Sequence, residues 1–279
     1  MKGTSALNIP AKIIDYAHPP IVEVVFGVQF DESDFPAPSV GTLWSTAWRE
    51  FEQYVESPRI PANNEIFDES PSIQLTFSSK PPTPRMCFTT SDGHRVIQVQ
   101  SDRFHYNRKR HRIDDASDPY VGFPQAFDEF KQRYSELASA VADSRHAPLR
   151  PNQYELTYVN VMPASDKWSA LGDVGALVPD FSWRTGERFL PTPEVLNWSM
   201  SFRLPNNQGR LHVAMNSGKH RDTGEPVLQA IMTARGAPNT SDDDARDAWF
   251  ALAREWIVRG FADLTSDDYQ QHVWGRIHP

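Results

Sequence analysis

Two glutamates occupy matching places in two similar stretches: Glu23 in HPPIVEVVFGVQF (18–30) and Glu155 in PNQYELTYVNVM (151–162). Each stretch opens near proline and continues through aromatic and β-branched residues. Two carboxylates facing one cleft can serve as acid and base, or hold a cation. The plainer alternative leaves each on the solvent face of a strand or in a salt bridge joining the halves, because unpaired carboxylates are rarely buried.

The most concentrated basic stretch is SDRFHYNRKRHR (101–112). Arg103, Arg108, Lys109, Arg110 and Arg112 alternate with Phe104, His105, Tyr106 and His111, the mixture that phosphate contacts and base stacking require. Asp114, Asp115 and Asp118 follow at once and oppose attraction to a polyanion. Asp102, together with Glu23, Glu155 and a histidine, would complete an acid–base site only if the fold brought them into one pocket.

Other candidate motifs fail on spacing. NSGKHRDTGE (216–225) lacks the earlier glycine of a phosphate loop and leads into strand-like sequence, so a polar hairpin loop is expected. The nine histidines show no HxH or HExxH spacing, and no metal or other cofactor is expected. No GxSxG elbow or GxGxxG turn occurs. Cys87, the sole cysteine, excludes an internal disulfide and reads as packing.

The elements that must position these residues follow from periodicity. IVEVVFGVQF alternates as a strand, with Val22, Val24, Phe26, Val28 and Phe30 facing a core and Glu23, Val25, Gly27 and Gln29 facing away. Ser39 caps a helix whose stripe runs Val40, Leu43, Trp44, Ala47, Phe51, Tyr54 and Val55 until Pro58. Strands are expected at 72–79, 85–91 and 94–110, with an Asp92–Gly93 hairpin turn between the last two. A second helix carries Phe127, Phe130, Tyr134, Leu137, Ala138 and Val141, with Pro124 in its first turn.

The order then restarts. A strand at QYELTYVNVM precedes a short helix at 166–178, strands at 195–205, 209–218 and 226–236, and a last helix capped by Ser241 ahead of three aspartates. Trp274 is expected to fold back onto the domain. The chain therefore reads as α+β: two β-α-β-β-β-α halves, 1–147 and 148–279, packed as one unit. The economical arrangement is a curved antiparallel sheet with long helices on one face. By element order it is analogous to TATA-box-binding-protein-like and helix-grip folds.

Bulk properties narrow the classes. The chain has 279 residues, 39% of them hydrophobic, enough for a proper core without staples. Its net charge of −8 argues against a basic nucleic-acid module. The N-terminal stretch lacks the apolar run of a signal peptide, and no apolar window suits a membrane span, so a cytoplasmic setting without membrane contact is expected.

Across PPIVEVVFGVQF, VIQVQSDRFHYNRKR, YELTYVNVM and HVWGR, nearly the whole chain resembles a sporadically distributed bacterial family with no established activity. The matching positions include Pro19, Pro20, Glu23, Gly27, Asp102, Arg103, Phe104, Tyr158, Asn160 and Trp274. Patchy distribution implies mobile genes, and hence an antitoxin, an immunity protein or a phage-defence component. The leading expectation is a non-catalytic protein that holds a protein partner, with Glu23, Asp102, Arg103, His105, Arg108, Arg110, Arg112, Glu155 and Asn160 as the binding residues and self-association open to it. The alternatives are a nucleic-acid or nucleotide sensor using the basic stretch, and thirdly an enzyme using Glu23 and Glu155.

Overall fold

A computed structural model describes residues 13–31, 37–61, 63–67, 84–113, 115, 117–145, 148–183, 186–220, 223–238, 240 and 242–277. Its frame is one nine-stranded antiparallel sheet. In chain order the strands are β1 (Ile21–Phe30), β2 (Gln53–Ser57), β3 (Arg85–Thr89), β4 (Arg95–Gln100), β5 (Arg103–Lys109), β6 (Pro151–Pro163), β7 (Asn197–Arg203), β8 (Arg210–Lys219) and β9 (Pro226–Gly236). Across the sheet they lie β2-β3-β4-β5-β1-β6-β9-β8-β7, so β1 and β6 meet at the centre. The sheet is open and curved, and the α+β class expected from the sequence holds.

The helices are α1 (Ala37–Thr46), α2 (Phe123–Arg145), α3 (Asp243–Leu264) and α4 (Asp267–His272). One face of the sheet is apolar because alternate residues of each strand are. Val24, Phe26, Val28 and Phe30 of β1 are buried with Phe104 and Tyr106 of β5 and Tyr154, Leu156 and Tyr158 of β6. Phe26 lies 5.2 Å from Phe130 of α2 and 5.8 Å from Phe250 of α3, ring centroid to centroid, so both long helices pack over the central strands. Each such ring removed from water stabilises the fold by about 1.5–3 kcal/mol. Trp274 does fold back, 5.0 Å from Phe261 and 6.0 Å from Tyr16. Among the described residues no helix is long and apolar enough to cross a membrane.

Several local expectations need correction. The first helix does not run from 39 to 55, and Ser39 lies inside it. It stops at Thr46 because Trp48 and Phe51 both turn into the core, while the Trp44 indole donates to the Phe51 carbonyl at 2.6 Å. Tyr54 and Val55 then belong to an exposed edge strand. The stretch 94–110 is two strands, divided by a tight turn at Ser101–Asp102 where the Gln100 amide donates to Asp102 Oδ1 at 2.6 Å. Asp92–Gly93 does form a hairpin turn, with Gly93 at φ +73°.

The segment 166–178 holds a 3₁₀ helix at Leu171–Ala176, in which two glycines weaken any longer helix. The cap of α3 is Asp242, accepting from the Ala245 amide at 2.8 Å. The expected strand at 72–79 and the Ser241 position lie outside the described residues.

Candidate functional site

The open face of the sheet was expected to meet solvent; at its centre it is polar and buried. Strand register sets Gln98, His105, Gly27, Glu155, Arg235 and Arg210 in one row across six neighbouring strands. The row beside it holds Gln100, Arg103, Gln29 and Gln153. Because side chains alternate faces along a strand, every residue in these rows points the same way.

Gly27 makes the centre of this layer. A Cβ there would meet His105 Cδ2 at 2.7 Å and Glu155 Cβ at 3.1 Å, so only glycine lets the imidazole lie across β1 toward the carboxylate. Gly27→Ala is expected to cost about 1–3 kcal/mol through this overlap, measurable by urea denaturation.

Glu155 is held by Arg235, whose Nε donates to Oε2 at 2.8 Å. Burial works to raise the Glu155 pKa, but the surrounding positive charge, led by Arg235 and Arg103, outweighs it and holds the carboxyl below its usual range. His105 goes the other way. Burial pushes its imidazole down to about 4 despite Glu155, so it is neutral at physiological pH.

Residues 59–61 and 63–66 cross this face as a strap. Gln100 pairs with both backbone groups of Ile60, at 3.0 and 2.9 Å, and Gln153 binds the Glu65 amide at 2.8 Å and the Asn63 carbonyl at 2.7 Å. Gln29 receives a 2.6 Å bond from the Arg103 guanidinium and donates to the Asn64 side chain. Arg59 pairs with Asp102 at 3.3 Å.

Glu65 ends the strap, its side chain only 7% exposed, taking hydrogen bonds at 2.6 Å from both Arg210 and His212 with Arg235 at 3.5 Å. Burial raises its pKa, yet hydrogen bonds from His212 and Arg210 overcome that and leave it lowered. Substituting Gln100 and Gln153 together by alanine removes four strap bonds, each worth about 1 kcal/mol. The expected result is selective cleavage between 59 and 66 under limited proteolysis at unchanged global fold.

The structure thus joins Arg103, His105, Asp102 and Glu155 in one polar layer and separates the rest. Glu23 is not in it: β1–β6 pairing aligns Glu23 with Val159, and Glu155 with Gly27, an offset of four residues or about 13 Å. Glu23 binds Asn107 at 2.7 Å and Lys109 at 3.7 Å. The two glutamates therefore share no cleft, because similar strand openings pair out of step.

Arg108 pairs with Val24 and so points to the helical face. The Arg110 guanidinium is turned inward and bonds the carbonyls of Asp118, Pro19 and Ile113. Asp118 takes the backbone amides of His111 and Arg112, at 2.6 and 3.0 Å, and so ties down the end of the basic stretch. Asn160 lies on the helical face with its amide on the Ala230 carbonyl at 3.2 Å. Cys87 sits half-buried in β3.

Sequence reasoning missed Glu65, Arg210, His212 and Arg235. Arg210 and His212 carried a signal, since they alternate with Leu211 and Val213 and so mark a common polar face. Glu65 carried none, standing in irregular SPRIPANNEIF. Among the described residues no three His, Cys, Asp or Glu side chains converge as a metal would need. The arrangement supplies charge, shape and fixed donors, with its carboxylates already engaged by cations. Comparison with models of known protein families and with curated proteins returns no match.

Proposed function

We propose that this protein is a non-catalytic binding protein that holds a partner protein, in the manner of an antitoxin, an immunity protein or a phage-defence component, and that it presents the strapped face of the sheet to that partner. The observation that supports this reading is the closed electrostatics of that face. Glu65 and Glu155 are answered by Arg210, His212, Arg235 and Arg103, and the one imidazole at the centre stays neutral. Such a layer fixes the shape of a platform and leaves little reactivity for turnover.

The family resemblance leads to the same class. Co-expression with the products of flanking genes, followed by affinity purification, tests it: a stoichiometric complex is the expected outcome, and failure of every neighbour to associate counts against it.

A nucleic-acid sensor draws less support. Arg103, Lys109 and Arg110, among its cations, already bind groups of the chain itself. That reading requires affinity falling steeply with salt and collapsing when Arg108, Lys109 and Arg112 are neutralised.

The sheet also invites reading as two copies of one β-α-β-β-β-α unit, in the manner of TATA-box-binding-protein-like or helix-grip saddles. In each half the last long strand lies beside the first, β5 on β1 and β9 on β6, and the two first strands meet. Failure of β3, β4, β5 and β1 to superimpose on β7, β8, β9 and β6 would remove it.

A further inference from the structure

On the helical side of the sheet, away from the strap, lies a cavity of about 390 Å³. It opens between the start of β1, the middle of β6, the first turn of α2 and the outer half of α3. Its walls combine apolar residues, including Phe123, Ile257 and Phe261, with polar side chains, among them Tyr120, Tyr158, Asn160 and Arg254. A concavity that sets an apolar wall beside convergent polar groups suits a small molecule that carries both kinds of surface.

Two of these groups are unfinished. Tyr158 is 3% exposed, and its hydroxyl lies within reach of Tyr120 and Arg254, though neither contact has the geometry of a full hydrogen bond. A buried hydroxyl without a partner costs about 1–3 kcal/mol, so its retention calls for a reason. Arg254 Nε is likewise buried and unpartnered, and no carboxylate of the described residues forms an ion pair with this guanidinium, which stacks on the Phe123 ring at 4.9 Å. Burial raises the pKa of both tyrosines, so each remains a donor at neutral pH.

We propose that this cavity binds a small amphipathic monocarboxylate, its acid group on Arg254 and the Tyr158 hydroxyl and its apolar body against Phe123, Ile257 and Phe261. A carboxylate supplies the acceptors both donors lack, and charge-assisted bonds of this type are the strong ones. Asp15 stands at the exposed rim of the same opening and disfavours a second negative charge on the ligand. This site stands independently of the partner-binding reading, since it lies on the opposite face.

The test is calorimetric titration of the full chain with 4-phenylbutyrate, octanoate and indole-3-acetate, each beside its uncharged amide. At least one acid is expected to bind saturably, one per chain, about tenfold more tightly than its amide. Arg254→Gln is expected to weaken that acid about tenfold and leave the amide unchanged. Tyr158→Phe weakens it about tenfold or more, the loss of one hydrogen bond to a charged acceptor. The same Tyr158→Phe protein, free of ligand, melts no lower than the original because it loses an unsatisfied group, which separates lost binding from lost folding. No saturable binding by any of the acids, equal affinity for acid and amide, or full affinity in Arg254→Gln overturns the proposal.

Discussion

Replacing Glu65 with alanine is expected to destabilise the protein by about 3 kcal/mol in urea titrations and to free the strap for proteolysis. The carboxylate is nearly inaccessible and serves two guanidiniums, Arg210 at 2.6 Å and Arg235 at 3.5 Å, together with the His212 imidazole at 2.6 Å. Removing one partner of a buried ionic cluster costs about 3–5 kcal/mol because the remaining charges lose their compensation. The lower end applies here, since Arg210 and His212 are each a quarter to a third exposed and regain water. Arg235 keeps Glu155. Glu65→Gln retains one acceptor and is expected to lose about half as much. A loss under 0.5 kcal/mol for the alanine variant would show that the cluster contributes nothing to holding the strap.

Acidification is expected to destabilise the fold well before carboxylates titrate. The His105 imidazole is buried and pushed down to about 4, against an ordinary value of 6.5. Above pH 6.5 it is neutral in both folded and unfolded chains and the fold bears no penalty. Between 6.5 and 4 the unfolded chain gains a proton that the folded chain refuses, so stability falls with decreasing pH by a total of about 3 kcal/mol. Glu65 and Glu155, both held below the usual carboxylate range, contribute stability that is present above about 4.5 and lost at still lower pH. Chemical denaturation at half-unit pH steps, repeated with His105→Gln, isolates the histidine part. The variant should be flat between pH 6.5 and 5 where the parent slopes; equal slopes would contradict the burial account.

How much of this was legible in the sequence depended on whether local pattern or distant contact made the decision. Alternation in IVEVVFGVQF and RLHVAM read correctly because each strand has one apolar face. The aromatic stripe of α2 did so because a long helix on a sheet repeats its spacing many times. The first helix misled because Trp48 and Phe51 keep helical spacing while leaving the helix to reach the core. VIQVQSDRFHYNRKR looked continuous because the Ser101–Asp102 turn is short and flanked by strand formers on both sides.

Gly27 was visible as an odd residue in a strand, but its reason lies with His105 and Glu155 on neighbouring strands. Glu23 and Glu155 look equivalent along the chain, and register alone shows that they stand apart. Glu65 and Arg254 stand in segments whose patterns carry no trace of what they meet, since the groups they meet lie far along the chain.

The central claim is that the strapped polar face grips another protein. Its most direct test is titration of the purified chain, and of the Gln100→Ala, Gln153→Ala double variant, with the product of each flanking gene. The account predicts a saturable complex for one of them, and a large loss of affinity once the strap is untied. Undiminished affinity in the strap variant, or no binding by any neighbour, would contradict it.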